Sequence, residues 1–355
     1  MLKIRVLVVD DSMFMRKLIS ELINQDPLLE VVGIAKNGLE AMELTKELKP
    51  DVITMDIEMP KMDGLSALEQ IMKNFPTPTL MVSSLTDKGA YETIKALQLG
   101  AVDFIQKPSG SISVDMFRVR DELLTKVKAV AKAPLSKDRP KRRFAPAKKI
   151  KKDPILHPGP VNTTFNQIFA IGTSTGGPKA LETVITELPP DFHCPVLVVQ
   201  HMPPKFTHYL AKRLNDISNV TVTEAENNEI IRGGTVYIAP GDYHMEVRQT
   251  INGYRIVLNK EPQRNGHRPS VDVLFDSVSK LKKLKRHYII MTGMGSDGAK
   301  GMQKGKEEGA ATTIAESEKT CVVYGMPKSA VQLGCVDHIM PVDRISAKMV
   351  ELAKA

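Results

Sequence analysis

Residues 171–178, "IGTSTGGP", decide the fold of the C-terminal half of the chain, because they turn a strand into a helix. The apolar run 167–172, "QIFAIG", predicts a strand that ends just before Ser174, and a helical pattern follows over 178–188. A strand that leads into a helix is the repeating unit of an α/β fold with a parallel sheet. The hydroxyl of Ser174, placed among glycines, fits a nucleophile, a phosphate-binding loop or only a tight turn.

The segments around this turn predict two more strands, each with a reactive residue beyond its end. The run 195–200, "PVLVVQ", precedes His201. The run 287–292, "HYIIMT", precedes Asp297 in "TGMGSDGA". Ligands of such sheets bind beyond the carboxyl ends of the strands, so we expect Ser174, His201 and Asp297 to meet at one edge.

These three residue types together fit nucleophilic catalysis. A serine hydroxyl attacks a carbonyl carbon only when an imidazole takes its proton, and the imidazole needs a carboxylate to fix its tautomer. We therefore expect Ser174 as nucleophile, His201 as base and Asp297 as orienting acid. The backbone N–H groups of Thr175 and, as second candidate, Met294 are the expected oxyanion donors, because a helix N-terminus and a glycine loop leave such groups unpaired.

The residues alone leave other interpretations open. Residues 293–298, "GMGSDG", with Glu316 further on, also fit a dinucleotide-binding loop, although Asp297 would then lie close to the pyrophosphate. Each of the three residues also has a structural explanation, as a helix cap or a strand-end side chain. His244, which follows another strand and turn, is a rival base. The order serine, histidine, acid excludes the α/β-hydrolase fold, in which the acid precedes the histidine.

A β-hairpin interrupts the alternation of strands and helices in this half. Asn252-Gly253 lies between the strand-like runs 245–250 and 254–259 and predicts a two-residue turn. We therefore predict a Rossmann-like, doubly wound and mostly parallel sheet with a hairpin for residues 165–355.

The N-terminal half alternates strands and helices in the same way. Apolar runs predict strands at 5–9, 31–34, 52–55, 79–83 and 102–105, and helical patterns cover 13–24, 38–48 and 89–99. Five strands joined by helices imply right-handed crossovers. Residues 1–125 are therefore predicted to form a second doubly wound parallel sheet, of the flavodoxin-like kind.

Polar residues follow the strands of this first sheet, where ligands bind. Asp10 and Asp11 follow the first strand, and Asp56 follows the third. Converging carboxylates repel one another, so a bound cation is expected, and oxygen ligands favour Mg²⁺. Asp56 beside the metal is then a phosphoryl acceptor, to which Ser83 donates a hydrogen bond and with which Lys107 pairs its charge. The alternative is that these residues only cap the helices that follow.

Composition restricts the class of protein. The 355 residues, 42% hydrophobic and 25% charged, fit two soluble domains, and no apolar run is long enough to span a membrane. The net charge of +8 comes mainly from residues 137–152, within a basic linker that we place at 126–164, and no nucleic-acid motif accompanies it. The absence of a signal peptide and of paired or metal-spaced cysteines indicates the cytoplasm. We expect a monomer that binds no nucleic acid and inserts into no membrane.

Four segments of the N-terminal half resemble the two-component receiver domain. They are "VLVVDDS" (6–12), "DVITMDIEMPKMDG" (51–64), "MVSSL" (81–85) and "GAVDFIQKP" (100–108). The resemblance implies that Asp56 is phosphorylated by the chemotaxis histidine kinase CheA, with Mg²⁺ held by Asp11, Asp56 and their neighbours. It also implies that Ser83 and Phe104 reorient on phosphorylation and that the 107–108 peptide is cis.

Six segments of the C-terminal half resemble the catalytic domain of the chemotaxis protein-glutamate methylesterase (CheB) family. They are "IGTSTGGPKAL" (171–181), "QHMPPKFT" (200–207), "YIAPGDYHM" (237–245), "HRPSVDVLF" (267–275), "TGMGSDGAKGM" (292–302) and "CVVYGMP" (321–327). The resemblance implies cofactor-free hydrolysis of glutamate methyl esters on methyl-accepting chemoreceptors and deamidation of receptor glutamines by the three residues named above. We further expect the receiver to inhibit the catalytic site until Asp56 is phosphorylated. A response regulator whose second domain only binds a partner or DNA is the remaining alternative.

Overall fold

The computed structural model describes residues 2–107, 115–133 and 164–355, with only the backbone of 115–119. The chain divides into two compact units, Met1–Lys137 and Asp138–Ala355. The basic segment 137–152 and Pro108, whose peptide bond is predicted to be cis, lie outside the described residues. Of the helices that the structure describes, none combines the length and the apolarity that crossing a membrane requires.

The N-terminal unit is a five-stranded parallel sheet whose strands alternate with helices. Its elements are β1 Ile4–Val9, α1 Met13–Asn24, β2 Leu29–Ala35, α2 Gly38–Leu48, β3 Val52–Asp56, α3 Gly64–Asn74, β4 Thr79–Ser83, α4 Asp87–Leu99, β5 Asp103–Gln106 and α5 Asp115–Ala131. The strand order is β2-β1-β3-β4-β5, and each neighbouring pair is parallel. This order confirms the predicted flavodoxin-like, doubly wound sheet.

Side-chain caps fix the starts of the first four helices. Ser12, Asn37, Asp63 and Thr86 each accept a hydrogen bond from a backbone N–H in the first turn of the helix that follows. Such a cap satisfies one of the donors that the start of a helix leaves unpaired. Helices α1 and α2 begin and end at the residues predicted from the sequence.

Helix α5 extends the N-terminal unit beyond the boundary predicted at residue 125. It continues to Ala131, because Leu123, Val127 and Val130 are buried in the core of this sheet. The first residues assigned by sequence to the linker 126–164 therefore belong to a packed helix.

The C-terminal unit is built on a seven-stranded parallel sheet. Its elements are β6 Gln167–Thr173, α6 Gly177–Ile185, β7 Val196–Gln200, α7 Phe206–Ile217, β8 Thr221–Glu224, β9 Thr235–Ile238, β10 His244–Thr250, β11 Gly253–Asn259, α8 Val271–Ser279, β12 Lys285–Ile290, α9 Ala299–Glu307, β13 Thr312–Glu316, α10 Met326–Gln332, β14 His338–Met340 and α11 Val342–Lys354. The strand order is β14-β13-β12-β6-β7-β9-β8, and β10 and β11 pair separately as an antiparallel hairpin. The predicted mostly parallel sheet with a hairpin is confirmed.

The hairpin turn lies one residue earlier than the sequence predicts. Thr250 pairs with Gly253, so Ile251 and Asn252 form the connection. Gly253 has a φ of 112°, a value that residues with a side chain rarely adopt. Gly253 is therefore the first residue of the returning strand, β11.

Strand β6 occupies the switch point of the C-terminal sheet. It lies between β7 and β12, and the chain moves outward from it in both directions. All of its residues, Gln167–Thr173, are buried, as expected for a central parallel strand. A crevice forms beyond the carboxyl end of the strands at such a point, so the segment after β6 faces a binding cleft.

Candidate functional sites

Strand register places Ser174 and His201 side by side at the carboxyl edge of the C-terminal sheet. Thr173 of β6 pairs with Gln200 of β7, and Ser174 and His201 are the next residues. The Ser174 N–H donates to the carbonyl oxygen of Thr292, in the segment after β12, at 3.0 Å. The ends of the three predicted strands therefore meet at one edge.

His201 and Asp297 form a hydrogen-bonded pair. His201 Nε2 lies 2.9 Å from Asp297 Oδ2, and the two side chains are only 7% and 1% exposed. His201 Nδ1 is buried, and within residues 2–107, 115–133 and 164–355 it has no hydrogen-bond partner, Ser174 Oγ included. The ring thus has one nitrogen bound to a carboxylate and one left for another group.

Four further donors surround the Asp297 carboxylate. They are Asn265 Nδ2 at 2.9 Å, Ser270 Oγ at 2.8 Å, the Val271 N–H at 2.7 Å and the Asp272 N–H at 3.2 Å. The two backbone donors begin helix α8, whose N-terminus stabilises a negative charge. Burial raises the pKa of the Asp297 carboxyl, but the hydrogen bond and charge of His201, together with Asn265 and Val271, hold this pKa well below its usual value. The carboxyl therefore stays ionised.

Asp272, in turn, caps helix α9. Its Oδ1 accepts from the N–H groups of Gly298 and Gly301 at 3.0 and 2.6 Å. Asn265 Nδ2 donates to its other oxygen at 2.8 Å. A dinucleotide pyrophosphate would need these same N–H groups at the start of the helix. Their engagement argues against the dinucleotide interpretation of residues 293–298.

The glycine loop after β12 packs directly against Ser174. A Cβ atom on Gly293 would lie 2.9 Å from Ser174 Cβ and closer still to Met326 Sδ, so a side chain does not fit there. Within the part of the chain that the structure describes, the N–H groups of Thr175 and Met294 donate to no acceptor. Both predicted oxyanion donors are therefore unpaired beside the serine.

Two residues that the sequence left as alternatives are engaged elsewhere. Glu316 is fully buried and accepts from the Thr292 N–H at 2.8 Å, so it supports the glycine loop. His244 Nδ1 accepts from the Ser270 N–H at 3.2 Å, and its Nε2 is bonded to Pro262 O at 3.1 Å. Both ring nitrogens of the rival base are thus occupied.

The loop 264–270 contributes groups that sequence reasoning missed. Asn265 and Ser270 bind Asp297, which lies 32 and 27 residues away along the chain. The His267 ring stacks on the His201 ring, with centroids 3.8 Å apart and planes 13° apart. The only sequence signal was that residues 267–275 lie in a segment resembling a known family; no pattern of spacing indicated their contacts.

Asp10, Asp11 and Asp56 lie together at the carboxyl edge of the N-terminal sheet, as predicted. One carboxylate oxygen from each lies within 4.8 Å of the others, and only Asp11 is exposed. Lys107 Nζ lies 2.7 Å from Asp56 Oδ2 and 3.3 Å from Asp10 Oδ2. Four of the predicted residues therefore form one charged cluster.

Burial sets the protonation behaviour of this cluster. It raises the pKa of Asp56 to about 6, and the charge of Asp10 adds to the rise, although the Lys107 ammonium opposes it. Apart from these ion pairs, the buried Oδ2 atoms of Asp10 and Asp56 accept no hydrogen bond in the described part of the chain. An all-oxygen set with unsatisfied acceptors fits a hard divalent cation.

The predicted switch residues Ser83 and Phe104 are both buried. Ser83 Oγ donates to Gly89 O at 3.2 Å and accepts from Thr93 Oγ1 at 2.7 Å, so its hydroxyl is bonded to helix α4. The Lys126 ammonium lies 5.3 Å from the centroid of the Phe104 ring.

The two units thus combine an acidic cluster with a lysine, on a flavodoxin-like sheet, and a Ser-His-Asp edge, on a Rossmann-like sheet. This combination defines a response regulator whose receiver domain is joined to a hydrolase domain. Comparison with known proteins gives the family: residues 169–349 match the CheB methylesterase family, and residues 6–114 match the response regulator receiver domain. The chain belongs to the CheB methylesterase family.

Relatives match over nearly the whole chain. A protein of Geobacillus kaustophilus named protein-glutamate methylesterase/protein-glutamine glutaminase is 49% identical over 98% of both chains. A protein of the same name from Halalkalibacterium halodurans is 50% identical over 99% of both. The crystal structure of the Thermotoga maritima CheB methylesterase catalytic domain aligns with a TM-score of 0.52 and 45% identity, covering 53% of this chain and 100% of that one.

Proposed function

We propose that this chain is a protein-glutamate methylesterase and protein-glutamine glutaminase that modifies chemoreceptors through Ser174, His201 and Asp297. One observation carries the proposal. The His201–Asp297 hydrogen bond of 2.9 Å lies at the sheet edge where strand register puts Ser174 beside the histidine. The names of relatives that match over 98% and 99% of the chain support the choice of substrate.

Acylation begins at the hydroxyl of Ser174. Its oxygen forms a bond with the γ-carbonyl carbon of the substrate side chain while the proton passes to His201 Nδ1. The tetrahedral intermediate then expels methanol from an ester, or ammonia from an amide, and His201 returns the proton to the leaving group. A water molecule, deprotonated by the same nitrogen, hydrolyses the acyl-enzyme and leaves a glutamate carboxylate.

Asp297 keeps His201 in the required tautomer. Its oxygen accepts the Nε2 proton, so the lone pair lies on Nδ1, the nitrogen that takes the proton of Ser174 in this proposal. The depressed pKa of Asp297 means that the carboxylate stays ionised when the imidazole becomes charged. Its role is therefore electrostatic, and it takes no proton itself.

The oxyanion of the tetrahedral intermediate is stabilised by the backbone. The N–H groups of Thr175 and Met294 have no other acceptor among the described residues. Thr175 directly follows the serine, and Met294 follows Gly293, which packs against Ser174. Donors that are fixed before the reaction stabilise developing charge without reorganisation.

Asp56 is the proposed phosphoacceptor of the receiver, with the chemotaxis histidine kinase CheA as phosphodonor. Asp10, Asp11 and Asp56 would hold Mg²⁺, which offsets the charge that builds up on the phosphoryl group. Lys107 already pairs with Asp56 at 2.7 Å and would pair with the phosphoryl oxygens. Ser83 and Phe104 would change their contacts in response.

The receiver is proposed to inhibit the catalytic unit until Asp56 is phosphorylated. A receiver tethered to an enzyme can act in this way only if phosphorylation shifts it between two states that differ in access to the site. We propose that the chain works as a cytoplasmic monomer, with chemoreceptors as substrates and no nucleic-acid partner.

Methanol release from membranes that contain methylated receptors tests the activity. With a small phosphodonor present, we expect Ser174→Ala to lower the rate roughly 10⁴-fold or more, because the covalent step is lost. Ser66→Ala, an exposed serine in helix α3, is the matched control and should retain the wild-type rate. Full release by Ser174→Ala would contradict the mechanism and favour a regulator without catalysis.

A further inference from the structure

The loop 264–270 contacts the proposed base, His201, as well as its partner Asp297. Two of its side chains bind the Asp297 carboxylate, as described above. The third, His267, lies face to face with His201, with ring centroids 3.8 Å apart and planes 13° apart. This is van der Waals contact over the whole imidazole, so it restrains the orientation of the ring.

A stacked ring supplies a restraint that the hydrogen bond to Asp297 lacks. A single bond at Nε2 fixes one atom of the imidazole and leaves the tilt of its plane free. Tilting would turn the lone pair of Nδ1 away from Ser174 and misalign the proton transfer. A ring face 3.8 Å away leaves no space for tilting on that side.

The stacking ring is itself held in place. Arg264 and His267 exchange two backbone hydrogen bonds, of 3.1 and 3.0 Å. Arg268 donates twice to Asp242 Oδ1, from Nη2 at 2.6 Å and Nε at 3.0 Å. Arg264 also donates to Asp276 at 2.5 Å. His267 thus lies between two residues whose side chains anchor the loop to different parts of the C-terminal unit.

We infer that His267 is a positioning residue of the methylesterase reaction, which holds the plane of His201 so that Nδ1 faces Ser174. The inference rests on the proposed function, because it requires His201 to act as the base. The contact with His201 is made by the face of the His267 ring. An aromatic ring without nitrogen should therefore replace it.

Three variants of the full-length protein, assayed on methylated receptor membranes with a phosphodonor, test this inference. His267→Ala should lower kcat roughly 10-fold to 100-fold and change KM less than about threefold, because alignment is lost while binding is kept. His267→Phe should restore most of kcat, since it keeps the stack. His193→Ala, an exposed histidine in the segment before β7, is the matched control and should behave like wild type.

A spectroscopic readout separates positioning from folding. The NMR resonance of the His201 Nε2 proton should broaden in His267→Ala and stay sharp in His267→Phe, while both variants keep the wild-type melting temperature. A folded His267→Ala protein with wild-type kcat, or a folded His267→Phe protein as slow as His267→Ala, would overturn the inference. A wild-type protein that releases no methanol would instead contradict the proposed function.

Discussion

Asp297 and Asp56 are both buried carboxylates at the carboxyl edge of a parallel sheet, yet their pKa values move in opposite directions. Asp297 lies among five hydrogen-bond donors, including two at a helix N-terminus, and its pKa falls. Asp56 pairs with Lys107, but burial and the charge of Asp10 raise its pKa to about 6. Asp297 therefore keeps its negative charge. The ionised form of Asp56 is destabilised until a cation or a phosphoryl group changes its surroundings.

The raised pKa of Asp56 predicts how stability depends on pH. The folded pKa of about 6 exceeds the ordinary Asp pKa of 3.8, so the charged form disfavours folding above pH 6, and stability rises as the pH falls towards 4. In Mg²⁺-free buffer at pH 7 we expect Asp56→Asn to increase the unfolding free energy of the receiver by about 1–3 kcal/mol. Denaturant unfolding of the wild type and the variant at pH 7 and pH 5 measures this increase in unfolding free energy, which should be smaller at pH 5.

Asp11 provides the matched control for this change. It belongs to the same cluster but is exposed, so Asp11→Asn should alter stability by no more than about 0.5 kcal/mol. Equal stabilisation by both variants would show that general charge repulsion, and not the burial of Asp56, is responsible.

Helices α8 and α9 are joined by an exchange of caps. Asp297, just before α9, accepts from the first N–H groups of α8. Asp272, at the start of α8, accepts from Gly298, which precedes α9, and from Gly301 in its first turn. Each helix thereby satisfies donors that the other leaves unpaired. The position of Asp297 is therefore set by two elements, which makes the proposed catalytic acid part of the helix packing.

This exchange predicts that Asp272 stabilises the C-terminal unit. Asp272→Ala leaves the N–H groups of Gly298 and Gly301 unpaired and should lower the unfolding free energy of the C-terminal unit by about 1–3 kcal/mol. Asp343→Ala removes an exposed acid from the first turn of α11 and should have little effect. Equal destabilisation in the two variants, measured by urea unfolding, would contradict the cap exchange.

The sequence predicted those features of the fold and the site that depend on local patterns of residues. Apolar runs and helical patterns located the strands and the early helices, and the positions of Ser174, His201 and Asp297 after predicted strands led us to expect them at one edge. It did not reveal the roles of Asn265 and His267, because they lie in an irregular loop whose contacts join segments far apart in the chain. Loop geometry depends on tertiary packing, for which residue spacing carries no signal.

At the scale of the whole molecule, the chain places a phosphoacceptor-like cluster on one compact unit and a hydrolase edge on another. Each sheet carries its site beyond the carboxyl ends of its strands, as doubly wound sheets do. The acidic cluster has no evident use in ester hydrolysis, which needs only the serine, its base and the oxyanion donors. Its presence on the same chain is therefore best explained by control of the hydrolase.

Such control predicts how the rate of methanol release differs between the full-length chain, its catalytic fragment and the Asp56→Asn variant. Without phosphodonor, the full-length chain should release methanol slowly, and a fragment of residues 164–355 should be faster, because the inhibiting unit is gone. With Mg²⁺ and acetyl phosphate, the full-length rate should rise by roughly tenfold or more, whereas Asp56→Asn should stay at the unphosphorylated level. Initial rates of methanol release measure all three proteins, and unfolding curves check that Asp56→Asn is folded. A fragment no faster than the intact unphosphorylated chain would rule out inhibition and leave phosphorylation to act by recruiting the substrate.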